Sequence, residues 1–147
     1  MSGRAANEAN GDVYQVGRVD ARIARVLGLP AAERTVWLHP HTIAHIVARR
    51  AVTAGEAGFV LHYLPLTIHR PDIVGIETRD ARRFRFVKFL TSERRHLHVS
   101  LKLVSVGSIE GRANELWVSS AFPLGRRSLT RLLRRENLHI VEWEAER

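Results

Sequence analysis

The 147-residue sequence contains no cysteine and no long apolar run. The lack of cysteine excludes thiol nucleophiles, disulfide bonds and cysteine-based zinc or iron–sulfur sites. No stretch approaches the ~20 apolar residues that a membrane-spanning helix needs, and residues 1–12 lack the apolar segment of a secretory signal. We therefore predict a soluble protein of the cytoplasm that has no membrane partner.

Motifs of several common enzyme classes are also missing. The sequence has no Gly-x-Gly-x-x-Gly, no phosphate-binding P-loop and no Gly-x-Ser-x-Gly, which argues against dehydrogenases, nucleotide hydrolases and serine esterases. Carboxylates are sparse in the second half of the chain, so a two-metal nuclease site is not favoured. We expect no metal ion and no cofactor.

Lysine is scarce although the chain is basic. The formal net charge is +8, and apart from Lys88 and Lys102 all 23 basic residues are arginine. The planar guanidinium group suits bidentate contact with phosphate. This composition is consistent with a polyanion such as RNA as the partner. It is equally consistent with an Arg- and Ala-rich genome that places arginine on every surface.

The hydrophobic pattern predicts an α+β fold, with N-terminal helices packed on an antiparallel sheet of about four to five strands and a late Arg-rich helix. Residues 1–12 are predicted to form a flexible tail, and residues 13–147 a single domain. Strand candidates, some of them short, are Tyr14–Val19, Thr35–Leu38, Ile73–Glu77, Arg83–Leu90, His96–Val106, Glu115–Phe122 and Leu138–Trp143.

Capping and breaking residues predict where the helices begin and end. Asp20 is a candidate N-cap for a helix that ends at Gly28, and Pro40 suits the first turn of the next helix. Glu56–His69 is also predicted to be helical, with Pro65 expected to kink or divide it.

The late helix is predicted over about Leu124–Arg135. Its spacing is expected to turn three leucines inward and three arginines outward. The leucines are Leu129, Leu132 and Leu133, and the arginines are Arg127, Arg131 and Arg134.

One strand carries polar groups that have chemical uses. His96, His98, Ser100 and Lys102 alternate with apolar residues, so they share one face of the strand. Imidazole groups exchange protons near neutral pH, and an ammonium group neutralises phosphate. We expect this face to be exposed, either as a functional site or as an ordinary solvated side of the sheet.

A second group of histidines lies near Pro40. His41 and His45 are one helical turn apart, which suits a metal ion, but the sequence has no His-Glu-x-x-His and no nearby carboxylate ligand. A cap or packing role for one histidine of this group, which includes His39, and a cleft position for another are favoured instead.

The order of the segments resembles a known family. They run from Val16-Gly-Arg-Val and Ile23-Ala-Arg-Val-Leu-Gly through Val36-Trp-Leu-His-Pro-His-Thr-Ile-Ala-His45 and Leu64-Pro-Leu-Thr-Ile-His-Arg-Pro-Asp to Val118-Ser-Ser-Ala-Phe. This arrangement, over about residues 16–141, resembles the phage-associated barnase–EndoU–colicin–RelE-like nuclease domains.

The resemblance implies a small α+β fold that cleaves RNA without a metal ion. His45 matches the histidine of the family's helix motif and Ser120 the Ser/Thr at the end of a late strand, while Lys102 would be a central-strand cation. Arg50 stands where a second histidine is often expected, which is a departure from the pattern. A toxin of this kind could have a cognate inhibitor protein.

The leading hypothesis is therefore a metal-independent endoribonuclease that uses the 2′-hydroxyl of RNA as the nucleophile. Proton transfer is assigned to His45 with His96 or His98, phosphate stabilisation to Lys102, and a hydrogen bond to Ser120. The predicted nucleic-acid contacts are Arg50, Arg83, Arg85, Lys88, Arg126, Arg127 and Arg131.

The alternative hypothesis is a module that has the fold without the chemistry. It would bind nucleic acid or serve as an interaction module in phage or mobile-element assembly. Trp37, Trp117 and Trp143 could stack on bases if they are exposed, although a lone tryptophan in such a domain is more often part of the core.

Overall fold

A computed structural model describes residues 13–49, 54–104, 115–135 and 138–143. The predicted tail at residues 1–12 and the predicted contact Arg50 lie outside the described residues. No helix within the described ranges is long and apolar enough to cross a membrane.

The described residues form seven strands in one sheet and helices on both of its sides. The strands are β1 (Tyr14–Val19), β2 (Arg34–Leu38), β3 (Ile73–Glu77), β4 (Asp80–Leu90), β5 (Arg95–Val104), β6 (Glu115–Leu124) and β7 (Leu138–Ile140). The helices are α1 (Ala21–Val26), α2 (Pro40–Arg49), α3 (Ala54–His69) and α4 (Arg126–Arg135).

The sheet is larger than expected and is mixed. Its strand order is β1-β2-β6-β5-β4-β3-β7, and the pair β2–β6 is parallel while the other pairs are antiparallel. The α+β class holds, but the prediction of an antiparallel sheet of about four to five strands is wrong. The short strands β1, β2 and β7 all join the sheet, and β2 does so beside a strand about 80 residues later in the chain.

Alternation along the long strands separates two faces of the sheet. The core face carries Phe84, Phe86, Leu97, Val99 and Leu101, which are all buried. Helices α1, α2 and α3 pack on this face, and their apolar side chains complete the main core. The other side of the sheet, called here the opposite face, carries the polar residues of β5.

Helix α3 is continuous through Pro65. Proline has no N–H to donate within the helix and disfavours a helical interior, which was the reason to expect a division at this position. The expected division is therefore wrong, whereas the expected kink stays a prediction. Buried Leu64 and Ile68 hold the last turns of the helix against the core, so tertiary packing outweighs the local cost.

Helix α4 covers one end of the opposite face. Its Leu129 and Leu132 pack against a small second cluster that includes Ile73, Val87 and Leu124. The inward placement of these two leucines is confirmed, whereas Leu133, expected to face inward, is 44% exposed.

The start of α1 depends on the side chain of Asp20. Its Oδ1 accepts a hydrogen bond from the Arg22 N–H at 2.8 Å, and Gly28 with φ +80° follows the helix, as predicted. Because Ile23 and Ala24 of this helix are fully buried, loosening its first turn disturbs the core.

We expect Asp20→Ala to lower the free energy of unfolding by about 1 kcal/mol, since it removes the N-cap acceptor. Urea denaturation of the two proteins measures the difference. Asp20→Asn retains an acceptor oxygen and is expected to stay within a few tenths of a kcal/mol of the parent. Equal stability of Asp20→Ala and the parent would contradict a capping role.

Candidate functional site

A row of four side chains crosses the opposite face on four adjacent strands. In the register of the sheet, Trp37 lies beside Trp117, Trp117 beside Lys102, and Lys102 beside Arg83. Each is flanked along its strand by at least one buried core residue, so all four lie on the side away from the main core. At a strand spacing of about 4.8 Å the row is roughly 14 Å wide. We call it the aromatic–cationic row.

The aromatic end of this row is partly exposed. Trp37 and Trp117 are half-buried, and their ring centroids are 6.5 Å apart. The ring of His39 lies 6.4 Å from Trp117 and is stacked on His41 at 4.9 Å. Nδ1 of His39 also accepts the N–H of His41, which confirms that one histidine of this group is a helix cap.

The cationic end combines an exposed ammonium with an anchored guanidinium. Lys102 is exposed, and no carboxylate among the described residues pairs with it. Arg83 reaches across β5, where its Nη1 donates to the Ser119 hydroxyl at 2.7 Å, and its Nε lies 3.2 Å from the Asp80 carboxylate. A bulge in β6 at Ser119 gives this hydroxyl its place beside the row.

A second row lies two residues further along the strands and is formed by Arg85, Ser100 and Ser120. The guanidinium of Arg85 is 3.8 Å from the carboxylate of Glu77 and donates at 3.0 Å to Nε2 of His98. Ser100 is only 7% exposed. This row therefore connects the exposed aromatic–cationic row with the covered end of the opposite face.

His98 is a buried, neutral imidazole. It is 1% exposed and stacks on Phe122 with the ring centroids 4.5 Å apart. Desolvation by burial, with the charge of Arg85 as a second cause, lowers its pKa to about 3. Since an arginine only donates, Nε2 of His98 is the acceptor and Nδ1 carries the proton. That Nδ1–H has no hydrogen-bond partner among the described residues.

His96 is partly buried at the end of the same strand. Its ring meets Phe89 edge-on at 5.1 Å. Desolvation lowers its pKa, an effect that Asp72 opposes and Arg126 adds to.

The expectation of an exposed polar face is therefore wrong for His98 and Ser100. The sequence alternates polar and apolar residues there, but α4 packs its leucines over this part of the sheet and removes His98 from solvent. Lys102, further along the strand and away from α4, is the member of the predicted set that is exposed.

The structure does not bring His45 to these residues. His45 is exposed on α2, and α2 packs on the core face through Ile43 and Ile46. The sheet therefore lies between this imidazole and His98.

The remaining predicted contacts are divided between surfaces. Lys88 lies on the side of β4 that carries the core residues, and its ammonium is 3.5 Å from Asp72. Arg126 and Arg127 are exposed in the first turn of α4, and Arg131 of the same helix lines a cavity next to His98. Ser120 belongs to the second row.

The neighbouring tryptophans are the feature that sequence reasoning missed. A core position was the commoner expectation for each, yet Trp37 stands between buried Val36 and Leu38, and Trp117 between buried Leu116 and Val118. The alternation of these tryptophans with apolar residues was the sequence signal that could have placed both rings on the side away from the core. Trp143 differs, since it packs against the main core and donates from Nε1 to the Pro71 carbonyl at 2.6 Å.

In the part of the chain that the structure describes, no three histidine or carboxylate side chains come together as metal ligands. No family model, no curated protein and no solved structure matches this chain. The resemblance to the barnase–EndoU–colicin–RelE-like domains stays a prediction.

Proposed function

We propose that this chain binds single-stranded nucleic acid, with RNA as the expected ligand, on the opposite face of its sheet. The observation that carries the proposal is the aromatic–cationic row, in which Trp37 and Trp117 adjoin Lys102 and Arg83 across four strands. Proteins that bind single strands without sequence preference combine these two elements, an aromatic platform for bases and cations for the backbone.

Each end of the row has a separate role in this proposal. A base stacks on the partly exposed indole rings, and the exposed ammonium of Lys102 neutralises a phosphate. Arg83 is oriented by Asp80 and Ser119, so its planar group loses little freedom when it contacts a phosphate oxygen. The half-buried hydroxyl of Ser120, in the second row, can donate to or accept from the 2′-hydroxyl of RNA.

Binding is favoured over cleavage by the positions of the histidines. A general base or acid works best with a pKa near the working pH, whereas that of His98 is about 3. His45 lies on the core-face side of the sheet. Metal-independent RNA cleavage therefore stays a prediction, and the binding experiment includes a measurement of it.

The proposal places the protein in the cytoplasm, where RNA is abundant, and it requires no cognate inhibitor protein. An interaction module that binds an acidic protein would depend on the cations of the row and not on its two tryptophans. Loss of binding on removal of an indole ring distinguishes RNA from such a partner.

The two lysines of the chain offer a matched test. We expect Lys102→Gln to weaken binding of a fluorescein-labelled 12-nucleotide RNA several-fold. It should also reduce the slope of log K against log salt by about 0.7, the value for one phosphate contact with a single strand. Lys88→Gln, on the other side of the sheet, is expected to change neither quantity. Fluorescence anisotropy at four salt concentrations in EDTA measures both.

Gel analysis of the same samples detects cleavage. Equal effects of the two lysine substitutions, or no binding of RNA at low salt, would contradict the proposal. Cleavage products in EDTA that disappear in His45→Ala would instead support the ribonuclease hypothesis.

A further inference from the structure

A small cavity lies between α4 and the covered end of the opposite face. Its volume is about 180 Å³, and its polar wall consists of Arg85, His98, Ser128 and Arg131. No carboxylate of the described residues lines it, and Glu77, the acidic neighbour of Arg85, is not part of the wall. The cavity is thus a concave site with two guanidinium groups.

His98, in the wall of this site, has a hydrogen-bond donor without a partner among the described residues. The imidazole is 99% buried, its Nε2 is occupied by Arg85, and its Nδ1–H has no partner among the described residues. Buried polar groups in folded proteins are nearly always hydrogen-bonded. This unpaired donor lies in the wall of the cavity but is itself closed off from solvent.

The first turn of α4 adds a favourable potential. It contains Ser128 and no acidic residue, and the residue before the helix, Gly125, has no side chain with which to cap it. The free N–H groups of a helix start attract anions.

We propose that this cavity binds a phosphomonoester group. Its two negative charges match the guanidinium groups of Arg85 and Arg131, and its several oxygens can accept hydrogen bonds from Arg131 and Ser128 together. The volume of about 180 Å³ is sufficient for one phosphate group.

The source of the phosphate is the end of a bound strand, and to that extent the inference rests on the proposed function. Arg85 belongs both to the cavity wall and to the second row. A strand that lies along the aromatic–cationic row therefore has its terminal phosphate within reach of the cavity.

The test compares one RNA sequence with a 5′-phosphate, a 3′-phosphate or hydroxyl groups at both ends, by anisotropy competition. We expect one phosphorylated end to bind about tenfold more tightly than the hydroxyl form, as for a charge-assisted contact. Ser128→Ala and Arg131→Gln should reduce this preference, while Arg134→Gln, exposed on the same helix, should retain it. Both test residues border solvent, so these variants are expected to fold.

A second arm uses inorganic phosphate alone. Thermal unfolding in sodium phosphate is compared with sodium chloride at equal ionic strength, and a stabilisation that Arg131→Gln removes is expected.

The outcomes separate the two proposals. If RNA binds with no preference for a phosphorylated end and phosphate gives no stabilisation, the cavity proposal is overturned and the proposed function stands. If RNA does not bind but phosphate stabilises the parent and not Arg131→Gln, the proposed function fails and the cavity takes a free phosphate. If Ser128→Ala and Arg131→Gln keep the parent's preference for a phosphorylated end, the cavity is not the cause of that preference and the cavity proposal is overturned.

Discussion

Replacing Trp117 with alanine is expected to weaken the binding of a short single-stranded RNA by about 5- to 150-fold. The range corresponds to the stacking free energy of one base on an aromatic side chain. Trp117 is the central aromatic residue of the row, since it lies beside both Trp37 and Lys102. Its loss removes the stacking surface next to the cation, so we expect a larger effect than from any single charge.

Two further variants isolate the contribution of the ring. Trp117→Phe keeps an aromatic face and should recover most of the affinity, whereas Trp143→Phe, against the main core, should bind like the parent. Anisotropy titrations at one salt concentration measure the affinities, and urea denaturation checks that each variant folds. A folded Trp117→Ala protein with undiminished affinity would remove the basis of the binding proposal.

Lowering the pH from 7 to 5 is expected to reduce the free energy of unfolding by about 2 kcal/mol through His98 alone. Its pKa is about 3 in the folded protein and 6.5 as the ordinary value. Between these values the unfolded chain binds a proton that the folded protein excludes. The stabilisation is therefore complete above pH 6.5, falls as the pH decreases, and is lost by about pH 3.

Urea denaturation at pH 7 and pH 5 measures this dependence. His98→Gln does not titrate and can still accept a hydrogen bond from Arg85, so its stability should change much less over this range. The remaining change includes His96, whose pKa is also lowered. His41→Gln, at an exposed position, is the control and should behave like the parent. Identical pH dependence in His98→Gln and the parent would show that His98 is not a buried neutral group.

The elements that could be predicted from the sequence are those set by local pattern. Period-two alternation located β3 to β6, and Asp20 and Gly28 bounded α1 because capping depends on neighbouring residues. The leucines at positions 129 and 132 were placed correctly for the same reason.

The parts that could not be predicted depend on packing between distant segments. Alternation along β5 put His98 and Lys102 on one face, but it contains no information on which of them α4 would cover. The family resemblance suggested that His45 would join them, whereas the side of the sheet that α2 occupies is decided by Ile43 and Ile46. The side of each strand on which Trp37 and Trp117 lie could be predicted from the alternation of their neighbours. Their proximity could not, because it depends on the pairing of β2 with β6, which the sequence did not indicate.

The pairing of β2 with β6 has a consequence for how the chain folds. β1 and β2 pair with each other and are close in the sequence, separated by α1, yet β2 also lies beside β6, about 80 residues downstream. Contacts between such distant segments slow folding because a long loop must close first. During synthesis one edge of the β1–β2 pair therefore stays unpaired until most of the chain has emerged. The indole pair forms only when β6, the last long strand, pairs with β2, so the proposed binding surface is among the final parts of the molecule to be completed.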